Sequence, residues 1–132
     1  MNIIEVTGGV AKEREIVENV VYWCIKKLMP RVRTLDIEVN LANCSSHGYC
    51  MSTDDKTFEL EIKKGLSIYD LIVAVCHEMV HVRQYYRKEI NHAAYRDTKY
   101  MDLPWEKEAY SLEETLAIEC FKNLQVNLTK NG

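Results

Sequence analysis

Between Ile68 and Val82 the apolar residues Ile68, Leu71, Ile72, Val75, Met79 and Val82 recur at helical spacing, and this segment restricts the fold more than any other. A stripe of that kind requires another layer of structure to bury it. Ser67, with Asp70 three residues later, gives the segment an acidic relative of the capping box, so a helix is expected from there to about Lys88. Within it Leu71 to Cys76 is the longest uninterrupted apolar run in the chain, far short of the roughly 20 residues that cross a bilayer. Directly after that run come His77, Glu78, Met79, Val80 and His81.

The remaining segments read as the layers that this helix needs. From Ala11 to Met29 the residues Ile16, Val17, Val20, Val21, Cys24, Ile25 and Leu28 keep helical spacing, and Pro30 closes the stretch. Gly8-Gly9 lacks the lysine and spacing of a phosphate loop and reads as a turn before that helix. Leu35, Ile37, Val39 and Leu41 alternate with polar residues, as do Phe58, Leu60 and Ile62, and each set predicts a half-buried strand. Tyr49 to Ser52 is a shorter strand candidate, joined to the last through a turn at Asp54-Asp55-Lys56. Glu89 to Met101 shows no period and reads as a long connecting loop. Asp102 and Pro104 then open a final helix that keeps its spacing to about Leu124. The expectation is one α+β domain over residues 1–132, with an N-terminal helix, an antiparallel sheet of about three strands and two further helices.

Composition narrows the function classes. With 47% hydrophobic and 28% charged residues the chain is globular rather than disordered. A net charge of -3 argues against a domain built to grip phosphate backbones, so nucleic acid is not the expected partner. The five cysteines are odd in number and scattered, which suits reduced thiols. The N-terminus, Met-Asn-Ile-Ile-Glu-Val, has no basic region followed by an apolar one, and the expected location is the cytoplasm, with no membrane partner.

The chemistry lies in the spacing of the histidines. Four residues apart on a helix, His77 and His81 project from one face about a turn apart and can hold a single metal ion, with Glu78 flanking that face. A catalytic zinc needs three protein ligands and one open position. The last helix offers Glu106, Glu108, Glu113, Glu114 and Glu119 for the third. Steps of 100° put Glu106 and Glu113 within the apolar stripe and Glu108 at its margin. Glu106, in the first turn near the chain reversal, is preferred; Glu108 stays open, as does His92, which lies in the loop directly after the helix. Gln84 and Arg87 stand where the longer HExxHxxGxxH pattern requires Gly and His, which excludes that arrangement. Cys44, His47 and Cys50 make a poor second metal cluster, having only three candidates at unusual spacing.

The run Cys76-His77-Glu78-Met79-Val80-His81-Val82-Arg83-Gln84-Tyr85, followed by Leu103-Pro104-Trp105-Glu106-Lys107-Glu108-Ala109, resembles the small HExxH metallopeptidases of phages and prophages. The layout is similar to that of minigluzincins and, more distantly, SprT-like zincins. That resemblance implies a Zn2+ peptidase of the host cytoplasm that cleaves peptide or protein substrates. It implies His77, His81 and Glu106 as metal ligands, Glu106 preceding Ala109 by three residues, and Glu78 as the catalytic base. Larger gluzincins often carry an acidic residue four positions after the ligand, where this chain has Tyr110. SprT-like proteins tend to use a third histidine, which keeps His92 in view. The resemblance also implies that substrate lies extended along an edge strand beside the metal.

Overall fold

The structure, a computed structural model, describes the backbone of residues 1–131 and the side chains of residues 1–124. It runs β1 (Ile3–Gly8), α1 (Ala11–Leu28), β2 (Asp36–Ala42), β3 (Gly48–Ser52), β4 (Thr57–Lys63), α2 (Ile68–Tyr86), a 3-10 turn (Tyr100–Asp102) and α3 (Pro104–Asn131). The class is α+β, with three helices on a small mixed sheet.

The sheet departs from the expected three antiparallel strands. It has four, in the order β1-β2-β4-β3, with β1 parallel to β2, β2 parallel to β4, and only β3 antiparallel to β4. β4 takes the interior place next to β2 because both present three buried apolar side chains to one face: Ile37, Val39 and Leu41 from β2, and Phe58, Leu60 and Ile62 from β4. Their register pairs Ile37 with Phe58, Val39 with Leu60 and Leu41 with Ile62. β3 has only Cys50 as an apolar residue toward that face and is left at the edge. β1 was not expected from the sequence. Its inward apolar residues are Ile4 and Val6 alone, both half-buried, too brief an alternation to signal a strand. It forms because the open edge of β2 accepts it, with Ile4 beside Ile37 and Val6 beside Val39.

Gly8 and Gly9 make the turn from β1 into α1, with φ of 80° and 56°. A Cβ on Gly8 would sit 2.1 Å from the carbonyl oxygen of Leu41, so glycine is required there for space as well as for conformation. Glu13 secures the start of α1: its carboxylate accepts the N–H of Val10 at 2.9 Å and that of Gly65 at 2.8 Å. Those two bonds hold its carboxyl below the usual range.

α2 is the hub, packing against α1, α3, β3 and β4. Ser67 caps it, its hydroxyl accepting from the N–H of Asp70 at 3.1 Å, as the sequence implies. The helix ends at Tyr86, two residues short of the expected end, with Arg87 as its cap and Lys88 at a φ of 58°. α3 starts at Pro104, where a missing N–H costs nothing, and continues past the expected end to Asn131. One apolar cluster joins the inner sheet face to all three helices. Fully buried side chains such as Phe58, Ile37, Leu71 and Ile72 each contribute roughly 1.5–3 kcal/mol to that core.

A candidate metal centre between two helices

His77 and His81, one turn apart on α2, converge on Glu106 in the first turn of α3. His77 Nε2 and His81 Nε2 each lie 3.1 Å from Glu106 Oε1. One donor atom from each residue falls within 4.8 Å of the other two, and among the described residues no other group of His, Cys, Asp and Glu does this. The three side chains are buried, as is Glu78 beside them. The imidazole rings stand nearly perpendicular, 4.9 Å apart.

Each histidine is held from behind. His77 Nδ1–H donates to Glu113 Oε2 at 2.6 Å, and His81 Nδ1–H donates to the side-chain oxygen of Gln84 at 2.7 Å. With Nδ1–H committed to these acceptors, each Nε2 donates to Glu106 when the ring is protonated and offers its lone pair to a metal when the ring is neutral. This donor set, two imidazole nitrogens and one carboxylate with supported rear nitrogens, fits a divalent metal of the zinc type. The electrostatics agree. Burial alone would raise the Glu106 carboxyl, yet the hydrogen bonds from His77 and His81 outweigh it and bring it down to about 2. Burial likewise opposes charge on both imidazoles, but the bond to Glu106 and the neighbouring carboxylates leave them above the usual histidine range.

Glu78 stands apart from the triad. Burial pushes its carboxyl up to about 7 against the opposing pull of His77 and His81. Its Oε2 faces Gly48 at the start of β3, where an added Cβ would stand 3.5 Å away. Cys50, on the same strand, feels the charge of Glu78 after burial, and both hold its thiol high.

The other candidates fall elsewhere. Glu113 bonds to the back of His77 rather than joining the triad. Glu108 accepts from the Gln84 amide at 2.9 Å. His92 is exposed, stacked edge-on against Trp105 with ring centroids 5.4 Å apart, and 3.4 Å from the Tyr85 hydroxyl. Cys44, His47 and Cys50 form no such group among the described residues, and all five cysteines are free. Tyr110, at the position where an acid stands in larger gluzincins, packs its ring 4.6 Å from that of His77.

Sequence reasoning considered Glu113 only as a ligand and gave Gln84 no role. Both carried a signal. Glu113 lies two turns after Glu106 and therefore on its face, and Gln84 is three residues after His81. Comparison with protein-family models, with curated proteins and with solved structures returned no match for this chain.

Proposed function

We propose that this chain is a zinc-dependent metallopeptidase, a minimal gluzincin-like zincin that hydrolyses peptide bonds in a peptide or protein substrate. The observation that carries the reading is the meeting of His77 Nε2, His81 Nε2 and Glu106 Oε1 at one buried point, with Glu78 beside it and outside the ligand set. His77, His81 and Glu106 would hold the metal. When bound, zinc supplies a Lewis acid that lowers the pKa of an attacking water to about 7 and polarises a carbonyl. Glu78 does the proton work: its carboxylate accepts the proton of the attacking water and returns it to the departing amine nitrogen.

The sheet supports a peptide substrate. β3 is paired on one side only, with β4, and it packs against α2 with Gly48 next to Glu78. An extended peptide can add to its free edge through main-chain hydrogen bonds, which brings a scissile carbonyl past Glu78. At Gly48 glycine is required for space, since a Cβ there would lie 2.6 Å from the carbonyl oxygen of Glu61 on β4.

The test is metal content and peptide cleavage measured side by side. The purified protein should hold one zinc per chain and cleave a quenched-fluorescent peptide library. Glu78→Gln should keep the zinc and lose about 10²–10⁴-fold in rate, whereas His77→Ala should lose both. A Glu78→Gln protein as active as wild type would overturn the assignment.

A further inference from the structure

We infer that Gln84 is a positioning residue of this centre, one amide that sets the metal-facing nitrogen of His81 and anchors the start of α3. The inference rests on the zinc reading above. Gln84 is 1% exposed and makes three hydrogen bonds. Its oxygen accepts from His81 Nδ1–H at 2.7 Å, while its amide nitrogen donates to the Trp105 carbonyl and to Glu108 Oε1, both at 2.9 Å.

Those bonds leave the amide one orientation. A neutral imidazole has one N–H and one lone pair, so Nε2 can face a metal only if Nδ1 carries the proton and finds an acceptor. The amide oxygen is that acceptor. Rotating the amide by half a turn would set its N–H groups against Nδ1–H and its oxygen against two other oxygens, losing all three bonds. The carbonyl of Trp105 and the carboxylate of Glu108 therefore select the orientation that fixes the His81 tautomer. Trp105 is also the residue immediately before Glu106. A single side chain thus sets a ligand on α2 and holds the backbone next to the ligand on α3. Groups that orient metal-bound histidines in this way typically change metal affinity about 10–100-fold when removed.

The competing explanation is that Gln84 merely ties two helices together. Two substitutions separate the ideas. Gln84→Met removes every bond, while Gln84→Glu keeps an acceptor for Nδ1–H but turns a carboxylate toward Trp105 O and Glu108. A simple tie predicts that Gln84→Glu is the more damaging for everything. A positioning role predicts opposite rankings, with Gln84→Glu less stable than Gln84→Met when metal-free yet binding zinc more tightly.

The experiment is zinc affinity by chelator competition, the visible spectrum of the cobalt-loaded proteins, and thermal unfolding of the metal-free chains. Expected are a loss of about 10–100-fold in zinc affinity and an altered cobalt spectrum for Gln84→Met, with a smaller loss, under about tenfold, for Gln84→Glu. Gln84→Met binding zinc as tightly as wild type, or Gln84→Glu binding no tighter than Gln84→Met, overturns the inference alone. Wild type taking up no zinc overturns both this inference and the reading beneath it. Should Gln84→Met not fold, Gln84→Glu decides by itself, and a tenfold loss of zinc affinity there counts against the inference.

Discussion

The helix α2 has an apolar seam toward α1 and, toward α3, a seam that adds a buried polar cluster to its apolar contacts, and the contrast explains how so small a domain can carry a buried polar site. Toward α3 it meets charge and hydrogen bonding: His77 and His81 against Glu106, His77 against Glu113, and Gln84 against Trp105 and Glu108. Toward α1 it is apolar. There Cys24 Sγ lies 3.8 Å from Cys76 Sγ, and α1 buries Val17, Val20, Val21 and Cys24 completely. Cys76 and His77 are neighbours in sequence, yet a 100° step sends one thiol into the core and one imidazole into the site. Burial of that apolar seam fixes the helix, and a fixed helix lets the other seam hold its polar groups without solvent.

If the division is real, substitutions should separate stability from metal binding. The largest stability effect is expected on the apolar seam. Ile72 is fully buried, and Ile72→Ala should destabilise the chain by about 2–5 kcal/mol, read as a shift of the denaturant midpoint. The folded fraction should still bind zinc with near wild-type affinity. A parallel loss of affinity would break the division.

Glu113→Gln tests the polar seam. It replaces the carboxylate behind His77 with a neutral amide, the kind of support that His81 already has from Gln84. Zinc affinity should fall by about tenfold, at the low end for residues that orient metal ligands, with little change in the metal-free unfolding midpoint. Chelator competition measures the first and thermal unfolding the second. An unchanged affinity would mean that the negative charge behind His77 does not matter to the metal.

The smallest effect concerns the exposed end of the apolar seam, where Glu13 ties the start of α1 to Gly65, just before α2. The hydrogen bonds from Gly65 and Val10 lower its carboxyl in the folded state. A lowered folded pKa contributes stability above the unfolded value of 4.5 and loses it as pH falls through the folded one. Wild type should therefore exceed Glu13→Gln slightly in melting temperature at neutral pH, and the gap should close as the pH drops below about 4.5. A gap that is constant with pH would show that the ionised carboxylate is not what matters.

Local period and capping determined much of this protein from sequence alone. α2, its Ser67 cap and the shared face of His77 and His81 follow from a 3.6-residue repeat, and the inner residues of β2 and β4 follow from a repeat of two. The placement of Glu106 and Glu113 on the inward face of α3 was likewise legible, because it is a property of one helix. The tertiary structure alone decided what depends on how separate elements meet. Alternation says which residues of a strand face inward but not which strand lies beside it, so the order β1-β2-β4-β3, its parallel pairs and the strand β1 went unread. Residues 87–103 link α2 to α3 largely without periodic pattern, so no local rule sets where α3 returns along α2. That docking brings Glu106 to the two histidines, puts Glu113 behind one of them and sets Gln84 between the helices, because side chains remote in sequence meet only when the core closes around them.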